Sequence, residues 1–172
     1  AVNSWVGHWP GGLAVATIIS CAIFPAISGS SVATAATIGT VAIPAMIERG
    51  YDKRFVYGLL AAGGTLGILI PPSIPMIVYG FITEESVGAL FLAGIGPGMM
   101  LVALFITYSM VHARLTTVQG AGKPATMAER RVASTRAFPS AALAILIIGG
   151  IYSGAFTPTE AAAIGFTAAL FV

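Results

Sequence analysis

The amino-acid sequence predicts an all-α integral membrane protein built from a re-entrant helical hairpin and a discontinuous transmembrane helix. Three observations carry this expectation. Of 172 residues, 57% are hydrophobic and only 8% are charged, against about 25% charged in soluble domains. The acids and bases fall into short clusters, leaving uncharged blocks of membrane-spanning size. Two of those blocks are interrupted, one by the tetrad Ser28-Gly29-Ser30-Ser31 and the other by Pro71, Pro72 and Pro75. Cys21 is alone, so neither a disulfide framework nor a cysteine metal pair is expected.

Residues 1–11 are an interfacial lead-in. Trp5 and Trp9 suit the membrane–water boundary, and His8 is read as an interfacial histidine rather than a metal ligand or proton shuttle. Residues 12–47 carry no charge and divide into two arms, 12–27 and 32–47. Each arm is about 24 Å long as a helix, short of the ~30 Å hydrocarbon core. The arms are therefore expected to enter and leave on one side, with their tip at 28–31. Ser30, Ser31, Thr34 and Thr37 then offer hydroxyls and helix N-terminal N–H groups at membrane depth. A single span held by small-residue packing is the alternative. Glu48 to Arg54, with net charge +1 from three bases and two acids, reads as a solvated connector.

Residues 55–83 would run about 43 Å as one helix, more than the core needs. Pro71, Pro72 and Pro75 lack N–H groups and leave the carbonyls of Gly67, Ile68 and Pro71 without helical partners. In lipid such carbonyls are costly unless they line a wet cavity or coordinate a ligand. A broken helix with freed carbonyls beside small polar side chains is the build of an ion and substrate site.

Glu84 and Glu85 mark an acidic turn, and residues 86–113 form a second crossing. Within it, Gly94-Ile95-Gly96-Pro97-Gly98 either bends the helix or permits close packing. Residues 114–137 form a basic linker, with Arg114, Lys123, Arg130, Arg131 and Arg136 against the single acid Glu129. The positive-inside rule makes this loop cytoplasmic. The acidic turn then lies outside, and the hairpin opens toward the cytoplasm. No aromatic platform accompanies the positive charge, which excludes nucleic-acid binding. Residues 138–172 begin a further set of membrane segments, with Gly149, Gly150 and Gly154 for close packing. Thr157-Pro158-Thr159-Glu160 has the pattern of an N-cap, a first-turn proline and a capping box; a proton or sodium role for Glu160 is the alternative. No basic head or cleavage site marks a signal peptide. The chain starts at Ala1 and stops at Val172 inside an apolar run, so it is expected to be an internal fragment of a longer membrane protein.

Three motifs occur together in order: the run from Pro10 through Arg54, GLLAAGGTLGILIPPSIPMIVYG over 58–80, and GGIYSGAFTPTEAAA over 149–163. In these the chain resembles the large membrane (permease) subunit of the tripartite ATP-independent periplasmic (TRAP) transporters. The resemblance implies one inverted repeat of an elevator-type, sodium-coupled transporter, with residues from Phe138 onward starting a second repeat. It implies import of a small organic anion, such as a C4-dicarboxylate, across the bacterial inner membrane. It also implies a small membrane subunit and a periplasmic substrate-binding protein as partners within the lipid bilayer. Carried onto this sequence, it places sodium at Ser28, Gly29, Ser30, Gly64, Thr65 and Gly67, and substrate at Ser31, Pro71, Pro72 and Ser73. No other cofactor is expected, and no catalytic residue.

Two other classes compete. An intramembrane serine hydrolase would use Ser28 or Ser30, but Ala26-Ile27-Ser28-Gly29 lacks the glycine two residues before the serine, and His8 and His112 fall at membrane ends. A channel or structural subunit would draw on repeated loops about an axis, which the asymmetric pair of broken elements does not supply.

Overall fold

The computed structural model describes residues 2–116 and 126–169, and every regular element among them is a helix. These are α1 (Val2–Val6), α2 (Gly12–Ile23), α3 (Pro25–Ser28), α4 (Ser31–Glu48), α5 (Lys53–Leu69), α6 (Ile74–Thr83), α7 (Val87–Leu115), α8 (Met127–Tyr152) and α9 (Pro158–Ala169).

Helices α2 and α3 form one arm of a hairpin and α4 the other. The first arm is interrupted at Phe24 because Pro25 cannot donate to the carbonyl four residues back. Phe24 itself stays right-handed, at φ −60 and ψ −35, so the arm bends without ending. Gly29 ends it in the left-handed region, with φ 59, a conformation that glycine adopts without a Cβ penalty. Ser30 is extended and caps α4, its side chain accepting from the Ala33 N–H at 3.3 Å. The chain therefore reverses within Gly29 and Ser30.

Helix α5 runs back along both arms. Ile18, Cys21, Met46, Val56, Leu60 and Leu66 are all buried in the core that joins them. Gly63 lets the arms close in: a Cβ there would lie 2.9 Å from the Cys21 sulfur. Helix α7 packs across α2, α5 and α6. Large apolar side chains such as Val32, Phe81, Ile82 and Leu115 remain exposed around the bundle. Ser31–Glu48, Lys53–Thr83 and Val87–Leu115 are long and apolar enough to cross a membrane. The protein is an all-α integral membrane protein.

The long block 53–83 is two helices. Helix α5 has 17 residues and α6 has 10, about 25 and 15 Å at 1.5 Å per residue. The α5 ladder ends with the Ile70 N–H donating to the Leu66 carbonyl at 2.8 Å. Pro71 and Pro72, joined by a cis peptide bond, have no N–H groups to reach Gly67 and Ile68. Pro75 acts differently from its two predecessors. It lies in the first turn of α6, where an N–H has no helical acceptor, and so it opens the second half and frees no carbonyl inside a helix.

Helix α7 passes through Gly94–Gly98 without interruption; Gly94 and Gly98 serve packing, while a Cβ on Gly96 would meet nothing within 4 Å. A Cβ on Gly94 would lie 2.6 Å from the Leu69 carbonyl oxygen, and one on Gly98 3.1 Å from Ile70. Helix α8 begins at Met127, so residues 127–137 of the expected linker are helical. Ala128, Glu129, Arg130 and Arg131 are good helix formers, and charge does not end a helix outside lipid. Lys123 lies outside the described residues. At the start of α9 the Glu160 carboxylate accepts from the Thr157 N–H at 2.8 Å and from its hydroxyl at 2.9 Å, completing the capping box. These two bonds hold the Glu160 carboxyl below the usual carboxylate range.

Two glycines of one helix should respond oppositely. A Cβ on Gly67 would lie 2.9 Å from the Ser31 Cα, whereas nothing lies within 4 Å of one on Gly58. Gly67→Ala should cost about 1–3 kcal/mol by overpacking, and Gly58→Ala should be neutral or gain up to about 1 kcal/mol from helix propensity. Thermal unfolding of the purified permease measures both.

Candidate functional site

Four helix ends meet where the hairpin tip reaches the break in α5–α6. The C-terminal ends are those of α3 at Ser28 and α5 at Leu69; the N-terminal ends are those of α4 at Ser31 and α6 at Ile74. The join is direct, because the Ile74 N–H donates to the Gly29 carbonyl at 3.2 Å. A Cβ on Gly29 would approach Ile74 and the Pro72 carbonyl oxygen at 3.4 Å. On the other side, the missing side chain of Gly67 lets the Ser31 backbone sit against α5. A cavity of about 360 Å³ opens beneath the tip, walled by Ser28, Gly29, Pro72, Ile74, Phe91 and Ile151.

The tip hydroxyls form a local cluster. Thr34 Oγ1 donates to the Ser30 carbonyl at 2.7 Å, and Ser28 Oγ lies 3.4 Å from both Thr34 Oγ1 and the Ser30 carbonyl oxygen. The Ser30 N–H also approaches Ser28 Oγ at 3.4 Å. Thr34 is fully buried and the other two are half-buried. Neutral oxygens dominate here, and among the described residues no three His, Cys, Asp or Glu side chains gather to hold a metal. A hard monovalent cation would rest on carbonyls and hydroxyls alone.

The expected site residues divide by position. Ser28, Gly29, Ser30, Ser31, Gly67, Pro71, Pro72 and Ser73 all lie at the tip or the break. Gly64 lies in the intact part of α5, with its Cβ position 3.0 Å from the Ala35 Cβ, and acts as a packing position for α4. Thr65 stands apart. It is exposed, and its hydroxyl donates to the Ala62 carbonyl at 2.6 Å. At 100° per residue, Gly63, Gly64 and Gly67 share the face toward the hairpin and Thr65 turns away from it. A glycine face at i, i+1 and i+4 is the signal that separates them.

Ser73 is the most unusual member. It is fully buried, and its hydroxyl has no hydrogen-bond partner. Ser30, Asp52 and Ser86 occupy equivalent N-cap positions, and each accepts a backbone N–H. Ser73 does not cap, and Pro75 removes one of the two N–H groups such a serine normally takes. Ser30→Ala should therefore cost about 1 kcal/mol through loss of its cap. Ser73→Ala should leave stability unchanged or raised, since it deletes a buried hydroxyl that bonds nothing. Paired melting curves of the two variants check this.

His112 stacks on Phe55 with ring centroids 4.1 Å apart, at the opposite end of α5 from the tip, so it supplies no base to Ser28 or Ser30. Comparison with known proteins points the same way. All of residues 1–172 match the family model described as tripartite ATP-independent periplasmic transporter, DctM component. The chain is 45% identical over 170 residues to the C4-dicarboxylate TRAP transporter large permease protein DctM of Pseudomonas aeruginosa, covering 99% of this chain and 40% of that protein. It is 44% identical over 162 residues to the ectoine TRAP transporter large permease protein TeaC of Halomonas elongata, covering 94% and 38%. Against the 2,3-diketo-L-gulonate TRAP transporter large permease protein YiaN of Escherichia coli, identity is 40% over 168 residues, covering 97% and 39%. The chain thus spans roughly two fifths of the length of these curated relatives, which are transporter subunits and not enzymes. By a match along its whole length, the chain belongs to the DctM component family of the tripartite ATP-independent periplasmic transporters.

Proposed function

We propose that this chain supplies half of the ion and substrate site of a sodium-coupled secondary transporter that imports a small organic anion. The observation that carries the reading is the meeting of four helix ends at the hairpin tip. Helix C-termini carry partial negative charge and favour cations, and helix N-termini favour anions. The ends of α3 and α5 offer a cation the carbonyls of Gly67 and Ile68, freed by Pro71 and Pro72, with Ser28, Gly29 and Ser30 opposite. Gly64 permits the approach. Thr65, on the outer face, is the proposed ligand that this geometry supports least. The starts of α4 and α6 bring Ser31 and Ser73 to the anion, with Pro71 and Pro72 shaping the break.

The cargoes for which the relatives are named support recognition of a shared anionic oxygen group. C4-dicarboxylates, ectoine, 2,3-diketo-L-gulonate and isethionate differ in size and charge, yet identity to their permeases stays between 40% and 45%. The first three carry a carboxylate and isethionate a sulfonate, so this region is assigned to the anionic oxygen group that the cargoes have in common. Discrimination among them is assigned to a periplasmic substrate-binding protein. A small membrane subunit completes the assembly in the bacterial inner membrane, with the basic segment 114–136 on the cytoplasmic side. The hairpin is re-entrant in this reading, because its tip stops at the break while α6 continues about 15 Å further. Movement of this unit past a fixed partner would give an elevator mechanism.

The test is uptake of labelled succinate, ectoine and 2,3-diketogulonate into proteoliposomes holding the permease and its partner subunits. An inward sodium gradient should drive uptake of one of them and a potassium gradient should not. Ser28→Ala should raise the half-saturating sodium concentration severalfold. Uptake indifferent to sodium would sink the coupling.

A further inference from the structure

Helix α5 has small residues on two faces. At 100° per residue, Gly63, Gly64 and Gly67 turn to the hairpin, and Arg54, Gly58 and Ala62 line the opposite side. That second face borders a groove of about 350 Å³ between α5 and α7, whose far wall is Leu104, Phe105 and Tyr108. The groove follows α5 for about 12 Å, from Arg54 to Ala62. Gly58 gives it depth, since a Cβ there would meet nothing within 4 Å. Leu104 is 53% and Tyr108 57% exposed, so the channel faces outward from the bundle.

One end of the groove is basic. Phe55 stacks on His112 with ring centroids 4.1 Å apart and lies 6.2 Å from the Tyr108 ring, which sets the end of α7 beside the start of α5. Arg54 lines the groove there, next to Lys53, and Arg114 lies in the last turn of α7. Asp52 is engaged as the α5 cap, accepting the Phe55 N–H at 3.1 Å. Lys53–Thr83 and Val87–Leu115 are both of membrane-crossing length, so the basic end falls at the edge of the bilayer and the apolar stretch within it. A guanidinium above an apolar channel matches a phosphate above an acyl chain. Arginine binds phosphate through paired N–H donors, tyrosine suits the headgroup level, and basic pockets between transmembrane helices take anionic headgroups. We propose that this groove binds an anionic phospholipid of the surrounding bilayer, with the headgroup phosphate on Arg54 and one acyl chain over Gly58 and Ala62. Such a site needs a bilayer and not transport, so its test is independent of uptake.

The test uses the full-length permease with its partner subunits in phosphatidylcholine vesicles. Phosphatidylglycerol with a photoreactive acyl chain is titrated in, and the cross-linked peptides are mapped. Label is expected on residues 54–62 and 104–108. Half-maximal labelling should need about fivefold less phosphatidylglycerol than photoreactive phosphatidylcholine, the scale of one base near a charged lipid. Arg54→Gln should abolish that preference. Gly58→Leu fills the groove and should bring label from both lipids to background. Both positions are exposed, and should one variant not fold, the other carries the test. Equal labelling by the two lipids overturns the proposal, as does label that ignores either substitution. A groove that takes no label, because the rest of the assembly covers it, overturns it too.

Discussion

The structure depends on one docking contact, the hairpin tip against the break in α5–α6. The Ile74 N–H reaches the Gly29 carbonyl, and Gly67 admits the Ser31 backbone. Each partner resolves a difficulty in the other. The break leaves helix ends inside a membrane protein, where an unpaired backbone group is expensive; the tip gives one of them, the Ile74 N–H, a carbonyl. The tip, two residues long and flanked by the hydroxyls of Ser28, Ser31 and Thr34, gains a rigid wall that fixes its height along α5. Helix α7 closes the far side through Gly94 and Gly98, so the break is held from both faces.

Much of this was legible because it follows from local chemistry. Proline has no N–H, so Pro71 and Pro72 announce the freed carbonyls of Gly67 and Ile68 whatever surrounds them. The tip was legible from Gly29, which supplies a left-handed turn, and from Ser30, a strong N-cap. The Thr157–Glu160 capping box follows from spacing alone. The third proline was harder, since Pro75 breaks a helix or opens one depending on where the new helix starts. The site was less legible where it depends on faces and long-range packing. Thr65 has the right chemistry beside the right glycines, but the helical register turns its hydroxyl outward. Gly94 and Gly98 do not reveal from sequence that their neighbour is the break. Nor does sequence show that Arg54 and Tyr108, some 50 residues apart, share a groove, which only the packing of α5 against α7 creates. The early start of α8 reflects composition: helix-forming residues continue a helix past the point where the membrane-sized apolar run begins.

In the proposed half-site, this chain contributes helix ends and hydroxyls, with no Lys, Arg, Asp or Glu in residues 12–47 or 55–83. At each contact a helix C-terminus meets an N-terminus, α3 with α6 at Gly29 and Ile74 and α5 with α4 at Gly67 and Ser31. A site of this kind avoids burying a carboxylate or guanidinium in lipid, which would be costly. Under the proposed function the two ligands would be coupled, since each would neutralise the field that opposes the other.

The central claim is that a sodium ion binds where the tip meets the break. Sodium titration of the thermal unfolding of purified permease tests it most directly, with choline holding ionic strength constant. Binding to the folded state alone raises stability with the logarithm of ligand concentration once the site fills. The account predicts that rise in wild type, and its displacement to higher sodium when Ser28 is replaced by alanine. A melting temperature that ignores sodium, or one that rises identically in both proteins, would contradict it.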